Sequence, residues 1–580
     1  MSAPQGQVRD GMRIDFDVAI EADDGLILRA DVYRPAGEGG SPVILSYGPY
    51  AKGMSFPDSR PYAWRHLTER YPEVTQGSSG RYQAWEVVDP EKWVPDGYAV
   101  VRVDARGTGR SPGFVDPWSP RETRDLYDCI EWAGKQSWSN GRVGLNGISY
   151  YAINAWQVAA LQPPHLAAIC AWEGAADHYR DVCYHGGIFS EFLTNWYARG
   201  VIPMQHGYGE RGQRSRLTGE LVTGPETLPD EALARDRSDI ISRALAHPFD
   251  DEYHRVRSVA LERINVPLLS AGNWGGHGLH LRGNTEAFMH ASSPQKWLEF
   301  HGDTHWTHFY TDYGVDLQKR FFGHFLKGER NGWDRQPPVQ LQVRHPGEIF
   351  VVRHENEWPL ARTRWSKFYL DPASRSLQSE PPGQSAVLAY HSMGDGLTFS
   401  TRPLPDAIEI TGPVAARLYV SSETSDADVF VILRVFAPDG EEVVFQGAQD
   451  PHTPVAFGWL RASRRKLDPV RSLPYRPYHT HDEDLPLAPG EPVALDIEIW
   501  PTSIAVPAGY RIALTIRGKD YEYPHGPANL PGVPFPLSGV GPFLHADPRN
   551  RPGSIFDAQN ALHFDAERAP WFMLPIIPPG

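Results

Sequence analysis

The N-terminal half of the chain alternates between short apolar runs and segments with helical periodicity. The runs Pro42 to Tyr47, Ala99 to Asp104 and Leu166 to Ala171 have the length of buried strands. Between the second and the third, Ser119-Pro120-Arg121-Glu122 is a capping-box pattern with proline at the first helical position, which predicts a helix start. Strands that alternate with helices are typical of a parallel sheet covered on both faces, so the pattern predicts an α/β domain.

This alternation is interrupted and then resumes. Residues 178 to 258 are aromatic, Arg-rich and helical in composition, which predicts a helical cap inserted over the sheet. The strand pattern returns at Val266 to Ala271 and Lys296 to Phe300. An amphipathic helix around Val315 to Lys327, which Gly328 can terminate, is expected to close the domain.

Beyond about residue 335 the pattern changes to many short β-like runs separated by Pro and Gly. Val429 to Val435 and Tyr510 to Ile516 are two of them. Such spacing is typical of an all-β sandwich. The predicted division is an α/β domain at 1–177 and 259–335, a helical cap at 178–258 and a β-sandwich at 336–580.

Composition narrows the classes of function. The 580 residues carry a formal net charge of -15, which gives no general attraction to nucleic acid or anionic lipid. The one basic run, Arg461 to Arg471, is predicted to be solvated or internally paired. Three cysteines, no apolar leader in Met1 to Asp10 and no membrane-length apolar run predict a soluble, cytoplasmic protein. We expect small-molecule partners, and the composition fits either a monomer or a homo-oligomer.

Ser149 is the strongest candidate for chemistry. The segment Gly147-Ile148-Ser149-Tyr150-Tyr151 lies between an apolar run at Val143 to Asn146 and an Ala-rich stretch, Tyr150 to Leu161, that predicts a helix. A serine on such a strand-to-helix bend projects above the sheet beside the helix N-terminus. The usual small residue two places after the serine is replaced here by Tyr151. Because Gly and Ser are also common turn residues, a merely structural turn remains the alternative.

Several separate segments resemble one family, the α/β-hydrolases grouped with cocaine esterase and the X-Pro dipeptidyl-peptidases. The resemblance spans nearly the whole chain. It lies in Gly48-Pro49-Tyr50, Asp104-Ala105-Arg106-Gly107, Gly147-Ile148-Ser149-Tyr150, Trp172-Glu173-Gly174, Asp177-His178-Tyr179-Arg180, Phe321-Phe322, Phe325-Leu326-Lys327-Gly328, Thr411-Gly412-Pro413, Asp426-Ala427-Asp428 and Ala508-Gly509-Tyr510-Arg511. It implies an α/β-hydrolase sheet with a cap, a C-terminal jelly-roll domain, and hydrolysis of an ester or amide by a serine.

The resemblance also implies roles for individual residues. Ser149 would be the nucleophile, and the oxyanion donors would be the backbone N–H of Tyr150 and the phenol of Tyr50. Without the resemblance, a tyrosine packed at a strand end is the favoured interpretation of Tyr50. We expect Asp104 and Arg106 to tie loops together through charge-assisted hydrogen bonds rather than to perform chemistry.

A serine needs a base, and the family carries its catalytic histidine in a loop that follows a late strand. His305, in the segment His301-Gly302-Asp303-Thr304-His305-Trp306, fits that position after the strand predicted at Lys296 to Phe300. His301 and His308 flank it and are the alternatives. Any of the three could instead be a surface or packing histidine.

The acid is where the sequence departs from the family. Most relatives have an Asp after the strand that corresponds to Val266 to Ala271, but the loop here, Gly272 to Gly278, has no carboxylate. Glu173 is the best replacement, because it ends the strand after the nucleophile helix, 173 − 149 = 24 residues beyond Ser149. Asp177 is the competitor, and Asp303 is too close in sequence to His305 to orient it easily. Glu173 could also merely cap or pair locally.

No metal or cofactor site is predicted. His277-Gly278-Leu279-His280 and the stretch His301 to His308 hold ligand types, but loops at strand ends explain both. Arg106 to Arg110 lacks the spacing of a phosphate-binding loop. The sequence therefore predicts a cofactor-independent serine hydrolase that forms an acyl-enzyme.

Two alternatives stay open. The first is an X-Pro dipeptidyl-peptidase, which would need acidic groups near Ser149 to hold a free amino group. The second, motivated by the missing Asp, is a catalytically silent relative that binds a ligand.

Overall fold

A mostly parallel β-sheet forms the centre of the first part of the chain, in a computed structural model that describes residues 6–530 and 533–579. Its first strands are β1 (Gln7–Arg9), β2 (Met12–Glu21), β3 (Ile27–Pro35), β4 (Ser41–Gly48), β5 (Ala99–Asp104), β6 (Ser139–Ile148) and β7 (Leu166–Trp172). The helices between them are α1 (Phe56–Ser59), α2 (Pro61–Arg70), α3 (Pro90–Trp93), α4 (Pro120–Gly134) and α5 (Tyr150–Ala159). The predicted cap of α4 is confirmed, since the Ser119 hydroxyl accepts the backbone N–H of Glu122 at 3.3 Å.

Short helices and turns fill the segment predicted as a cap. It contains the small hairpin β8 (Tyr184–His185) and β9 (Ile188–Phe189) and the helices α6 (Phe192–Trp196), α7 (Asp230–Arg235), α8 (Ile240–Ala246) and α9 (Glu252–Arg255). The sheet then resumes with β10 (Leu268–Asn273), β11 (Lys296–His301), β12 (Val339–His345) and β13 (Ile349–Glu355), and with the helices α10 (Leu281–His290), α11 (Thr307–Tyr310) and α12 (Asp312–Phe322). A π-helical turn continues α12 and ends at Gly328, whose φ is 73°.

The strands of this sheet are ordered β1-β2-β3-β5-β4-β6-β7-β10-β11-β12-β13. All neighbours from β5 to β12 are parallel. β4 lies between β5 and β6 in the sheet. The chain passes from β4 to β5 on one side and then crosses to β6 on the other side. The carboxyl end of β4 is therefore a topological switch point, the place where open α/β sheets bind ligands.

Alternate residues of the central strands face opposite hydrophobic cores. In β4, Ile44 packs into one core, while Val43 and Leu45 pack into the core on the other face. Because helices cover both faces, these strands have buried residues throughout, which explains their unbroken apolar runs in the sequence.

The sheet extends past residue 335, where the sequence pattern places the start of the β-sandwich. β12 pairs in parallel with β11, and β13 pairs antiparallel with β12. The sequence could not separate these two strands from those of the second domain, because an edge strand of either sheet has the same short β-like pattern.

The C-terminal part is built from antiparallel strands. They are β14 (Arg364–Asp371), β15 (Ser376–Gln378), β16 (Ala386–His391), β17 (Leu397–Ser400), β18 (Ile408–Ser422), β19 (Asp428–Phe436), β20 (Ala456–Arg461), β21 (Val493–Val506), β22 (Arg511–Arg517), β23 (Gln559–Phe564) and β24 (Trp571–Ile577), with the short helix α13 (Gly553–Phe556). One group of strands pairs as β14-β24-β18-β21 and another as β17-β22-β19-β20. Side chains of both groups share one apolar core.

A further apolar core joins the two parts of the chain. Trp274 and Phe300, from the α/β sheet and its loops, belong to the same buried cluster as Phe430, Trp459 and Trp500 of the C-terminal strands. This contact fixes the C-terminal part beside the carboxyl ends of β10 and β11.

Among the residues that the structure describes, no helix has the length and apolarity that crossing a bilayer would need. Cys129, Cys170 and Cys183 are buried and unpaired.

Candidate active site

The predicted site residues follow the carboxyl ends of parallel strands at one edge of the sheet. Tyr50 follows β4, Ser149 follows β6, Glu173 follows β7 and His305 lies in the loop after β11. The register places Ile148 opposite Trp172, and Trp172 opposite Ala271 of β10, so these strand ends are level. Residues distant in sequence therefore meet above the sheet.

Ser149 sits on a sharp bend between β6 and α5. Its φ of 60° and ψ of −112° are unusual for a residue with a side chain, and such strain is characteristic of functional sites. Its carbonyl accepts the N–H of Ile153 at 2.9 Å, and its own N–H donates to the carbonyl of Trp172 at 3.0 Å. The bend is thus fixed by backbone bonds on both sides, and the hydroxyl faces a cavity.

Tyr151, the departure from the usual small residue, is accommodated by two glycines. A Cβ atom on Gly147 would lie 2.5 Å from Cβ of Tyr151, and a Cβ on Gly48 would lie 2.5 Å from Cε1 of its ring. Real Cβ contacts are never so close, so any side chain at either glycine would displace the tyrosine. The large residue two places after Ser149 therefore depends on glycine near the ends of both β4 and β6.

The cavity has a volume of about 610 Å³ and contains Ser149, His305 and Tyr50 in its wall. The cap contributes aromatic side chains, including Trp196, and the C-terminal domain contributes a wall that includes Phe543. Such a volume is in the range of small-molecule sites, and its mostly apolar walls favour an apolar ligand group.

Glu173 and His305 form a buried pair. Oε2 of Glu173 lies 2.8 Å from Nδ1 of His305, and Oε1 lies 3.2 Å from Nε2 of His301. Glu173 is held in a left-handed conformation, with φ at 50°, and its N–H donates to the carbonyl of Ala271 at 2.6 Å. The backbone N–H of His305 donates to the carbonyl of Ala448 in the C-terminal domain at 2.9 Å. Both partners are therefore anchored through their backbones.

The electrostatics of the pair are strongly coupled. Burial acts to raise the pKa of Glu173, but the charge on His305 and hydrogen bonds from His301 and His305 hold that pKa below its usual range. Burial acts to lower the pKa of His305, whereas Glu173 and a second carboxylate, Glu86, raise it to about 10. The two carboxylates therefore favour the protonated form of the imidazole.

The competing acids lie elsewhere. Oδ1 of Asp177 accepts the backbone N–H groups of Tyr179 and Arg180, at 3.0 and 2.9 Å, so this carboxylate caps a helical turn. Asp303 accepts the hydroxyls of Tyr71 and Thr307. Both carboxylates are occupied by contacts other than His305.

The competing histidines are also placed differently. Nδ1 of His301 lies 2.7 Å from Glu299, and its other nitrogen faces Glu173. His308 is partly buried, and its ring centroid lies 5.5 Å from that of His301. Neither of them lines the cavity, whereas His305 does.

Tyr50 and Tyr150 are the residues expected to supply the oxyanion donors. The phenol oxygen of Tyr50 accepts the indole N–H of Trp196 at 3.0 Å. Because an indole can only donate, the phenol proton of Tyr50 remains free to be given to another group. Tyr150 begins α5, so its backbone N–H is one of those that a helix leaves without an internal partner. The side chain of Tyr150 points away, with its hydroxyl on Glu122.

Glu86 is the site residue that sequence reasoning missed. Its Oε1 lies 3.0 Å from Nε2 of His305, the nitrogen that a serine base would use. Among the described residues, no hydrogen bond joins the Ser149 hydroxyl to His305, although both line the cavity. Glu86 lies in the aromatic insertion between β4 and β5, away from any strand end or motif, so no signal in one sequence distinguishes it.

Backbone strain concentrates here. Positive φ values occur at Glu86 (64°), Ser149 (60°), Glu173 (50°) and Asp303 (67°). Residues with side chains rarely adopt this region, and they do so mainly where the surrounding structure imposes it at functional sites. Of these four residues, Glu86 and Ser149 line the cavity, and Glu173 contacts the cavity-lining His305 from behind.

The structural role expected for Asp104 and Arg106 is confirmed. Arg106 makes a bidentate pair with Asp125, with distances of 2.7 and 2.8 Å, and Asp104 accepts the backbone N–H groups of Lys52 and Arg110. The basic run is internally paired as well, for example through Arg461 and Asp428 at 2.8 Å.

Two groups of side chains contain histidines that could in principle bind a metal ion. His280 stacks on His305 with ring centroids 5.1 Å apart, and burial together with the charge of His305 lowers its pKa to about 3. A different group, His178, Cys183 and His254, brings three ligand atoms within 4.8 Å of one another. Nδ1 of His178 lies 2.9 Å from Nδ1 of His254, and Nε2 of His254 lies 2.8 Å from the carbonyl of His247. One chain of hydrogen bonds between neutral rings accounts for these contacts.

Both parts of the chain match models of one protein family. Residues 24–310 match the model of the X-Pro dipeptidyl-peptidase (S15 family), and residues 331–570 match that of the X-Pro dipeptidyl-peptidase C-terminal non-catalytic domain. The chain is 25% identical to cocaine esterase from a Rhodococcus species over 97% of this chain and 98% of the esterase.

Solved structures agree with this result. A crystal structure of a CocE/NonD family hydrolase from Staphylococcus aureus is 29% identical with a TM-score of 0.84, covering 98% of this chain and 94% of that one. The α-amino acid ester hydrolase, at 16% identity and a TM-score of 0.67 over 99% of both chains, shares the fold. With both domains matched in order, the chain belongs to the X-Pro dipeptidyl-peptidase (S15) family and is a serine hydrolase.

Proposed function

We propose that the protein is an esterase that cleaves carboxylic esters through an acyl-enzyme on Ser149, with His305 as base and Glu173 as the acid that orients it. The observation that carries the proposal is the 2.8 Å contact between Oε2 of Glu173 and Nδ1 of His305, in a cavity that also holds Ser149. It supplies the carboxylate that the loop after β10 lacks.

Each residue has one task in the reaction. The Ser149 oxygen attacks the acyl carbon while Nε2 of His305 takes its proton, and Glu173 holds the Nδ1 proton and stabilises the imidazolium. The negative charge that develops on the acyl oxygen is met by the N–H of Tyr150 and the phenol of Tyr50. His305 then returns the proton to the departing alkoxide, and a water molecule repeats the sequence to release the acid.

Tyr50→Phe tests the oxyanion assignment. It removes one donor and leaves the ring packing, so we expect kcat to fall roughly 10²- to 10³-fold, with KM changed much less. Steady-state kinetics on p-nitrophenyl acetate measures this fall. Tyr98→Phe is the matched control, because Tyr98 is buried outside the cavity and its hydroxyl has no hydrogen-bond partner within the described part of the chain. A Tyr50→Phe enzyme as fast as the control would remove Tyr50 from the mechanism.

Charge in the cavity favours an ester over a dipeptide with a free amino group. Among the described residues that line it, Glu86 is the one carboxylate, and His305 already contacts it. Arg60, Arg65 and Arg199 line the same cavity and would repel an ammonium group. The aromatic walls suit an apolar acyl or alcohol group instead.

Substrate comparison tests this choice. We expect turnover of p-nitrophenyl esters and at least a hundredfold lower kcat/KM for a dipeptidyl-Pro anilide, a difference of about 3 kcal/mol in transition-state binding. Faster cleavage of the anilide would establish the peptidase alternative. If a fluorophosphonate probe failed to label Ser149 in folded protein, the silent ligand-binding alternative would replace both.

The remaining assignments are also proposals. We infer a division into an α/β-hydrolase domain at 1–177 and 259–335, extended by β12 and β13, a substrate-selecting cap at 178–258 and a jelly-roll domain that begins after β13 rather than at 336. The contribution of α6 to the cavity wall and the antiparallel strand pairing support this division. Three buried, unpaired cysteines support a reducing, cytoplasmic location. We propose a small-molecule ester as the partner, without assigning an oligomeric state.

A further inference from the structure

Both ring nitrogens of His305 face carboxylates. Nδ1 lies 2.8 Å from Glu173, and Nε2 lies 3.0 Å from Glu86. An ionised carboxylate only accepts hydrogen bonds, so with both carboxylates ionised the ring donates from both nitrogens and carries a positive charge. An imidazole in that state has no lone pair for the proton of Ser149.

Other titratable groups near His305 and its two carboxylates include His280, His301 and Arg60. His280 stacks on the ring and is neutral, because burial lowers its pKa to about 3. His301 lies across Glu173, and the charge of Arg60 acts, after that of His305, to lower the pKa of Glu86. Burial raises the pKa of Glu86, although His305 opposes that effect. The charge balance at His305 is therefore set by two carboxylates and its own proton.

Glu86 is fixed in place beside the nucleophile. Its carbonyl accepts the N–H of Ile148, the residue before Ser149, at 3.0 Å. Its φ of 64° is strained, and its side chain is only a few per cent exposed. Among the residues that the structure describes, its Oε2 has no hydrogen-bond partner, and its Oε1 contacts His305. A strained, buried carboxylate tied to the nucleophile bend is not explained by packing alone.

We propose that Glu86 is a positioning residue that keeps His305 in a doubly hydrogen-bonded, protonated resting state, from which Nε2 is released to Ser149 only when the ring loses a proton. The proposal rests on the proposed function, since it takes His305 to be the base. The proton passes from Nε2 to solvent, its electron pair stays on the nitrogen, and Glu86 remains ionised. The freed lone pair can then accept the serine proton.

The pH dependence of activity follows directly. The base is active when deprotonated, and its pKa is raised to about 10, so kcat/KM should climb through the alkaline range rather than near pH 6.5. Glu86→Gln removes the negative charge at Nε2 and should move this rise to lower pH by about 1 to 3 units. The rate of the variant at neutral pH should therefore be a larger fraction of its alkaline maximum than the corresponding fraction for the wild type.

The test is the rate of fluorophosphonate inactivation between about pH 6 and pH 10, measured for the wild type and Glu86→Gln. Glu131→Gln is the matched control, because Glu131 contacts His165 at 2.8 Å in a second glutamate–histidine pair outside the cavity. The proposal predicts a rise at lower pH for Glu86→Gln and an unshifted rise for Glu131→Gln. A merely structural role for Glu86 would change the rate at all pH values without moving the rise.

The outcomes separate this proposal from the proposed function. If the wild type is labelled on Ser149 and Glu86→Gln has the same pH profile, the role of Glu86 is wrong and the esterase assignment stands. If the wild type is labelled at no pH, the esterase assignment fails and this proposal fails with it. If Glu86→Gln does not fold, Glu86→Asp weakens the same contact and can replace it in the test. Histidine ¹⁵N NMR measures the protonation of His305 directly, and the spectrum of His305→Gln assigns the signal.

Discussion

Ser149→Ala is expected to lower kcat for an activated ester by roughly 10⁴- to 10⁶-fold, the largest effect of any single substitution in the chain. The alanine keeps the bend between β6 and α5 but has no oxygen to form the acyl-enzyme. The oxyanion donors at Tyr50 and Tyr150 remain, so a small rate above that of water should persist. Stopped-flow release of p-nitrophenol measures both the loss of the burst and the residual turnover.

Two comparisons make the result specific. Ser366→Ala, in the C-terminal domain, should retain wild-type turnover, because that hydroxyl only contacts the carbonyl of Arg364. The thermal unfolding midpoint of Ser149→Ala should stay near that of the wild type. Substantial turnover by a folded Ser149→Ala protein would place the nucleophile elsewhere.

Glu173→Gln should cost roughly 10³- to 10⁴-fold in kcat. The amide is nearly the same size, but its NH₂ group can face Nδ1 and favour the wrong tautomer of His305, and it no longer stabilises the imidazolium. KM should change little, because Glu173 is fully buried and does not line the cavity. Steady-state kinetics separates the two constants.

The competing acids provide the controls for this substitution. Asp177→Asn and Asp303→Asn remove carboxylates that cap a helical turn or bind Tyr71, so they should alter stability more than kcat. Glu173→Asp should retain part of the activity, since a carboxylate still reaches toward the ring. The assignment would fail if Glu173→Gln turned over like the wild type while one of the aspartate variants lost activity.

Much of the fold follows from local pattern. The run Ala99 to Asp104 is β5 with the same bounds, and α5 begins at Tyr150 as expected but ends at Ala159, two residues before Leu161. These elements are predictable because continuous burial on both faces leaves an unbroken apolar run. The membership of β12 in the first sheet was not predictable, because pairing with β11 depends on tertiary contacts that a short edge strand does not encode.

The site was predictable only where backbone geometry leaves a signature in sequence. Ser149 lies in a bend that needs Gly147, and Glu173 directly follows β7, the strand beside β6. The positions of both residues could therefore be predicted from the strands that precede them. The loop after β10 has no carboxylate, and the end of the neighbouring strand β7 lies beside the end of β10 in the sheet. Adjacency of strand ends therefore allows the acid to come from either strand.

Glu86 shows the limit of that reasoning. It comes from an insertion without regular periodicity, and its contact with His305 joins residues 219 positions apart in the chain. Nothing in a single sequence ties one glutamate of an aromatic loop to one histidine of another. Only the folded backbone, with its strained φ at Glu86, brings the two together.

The most direct measurement is to quench a reaction with p-nitrophenyl acetate during the burst and map the acetyl group by peptide mass spectrometry. The account predicts acetylation of Ser149 in the wild type, and strongly reduced acetylation in His305→Ala. An acetyl group on another residue, or steady turnover without any covalent adduct at Ser149, would contradict it.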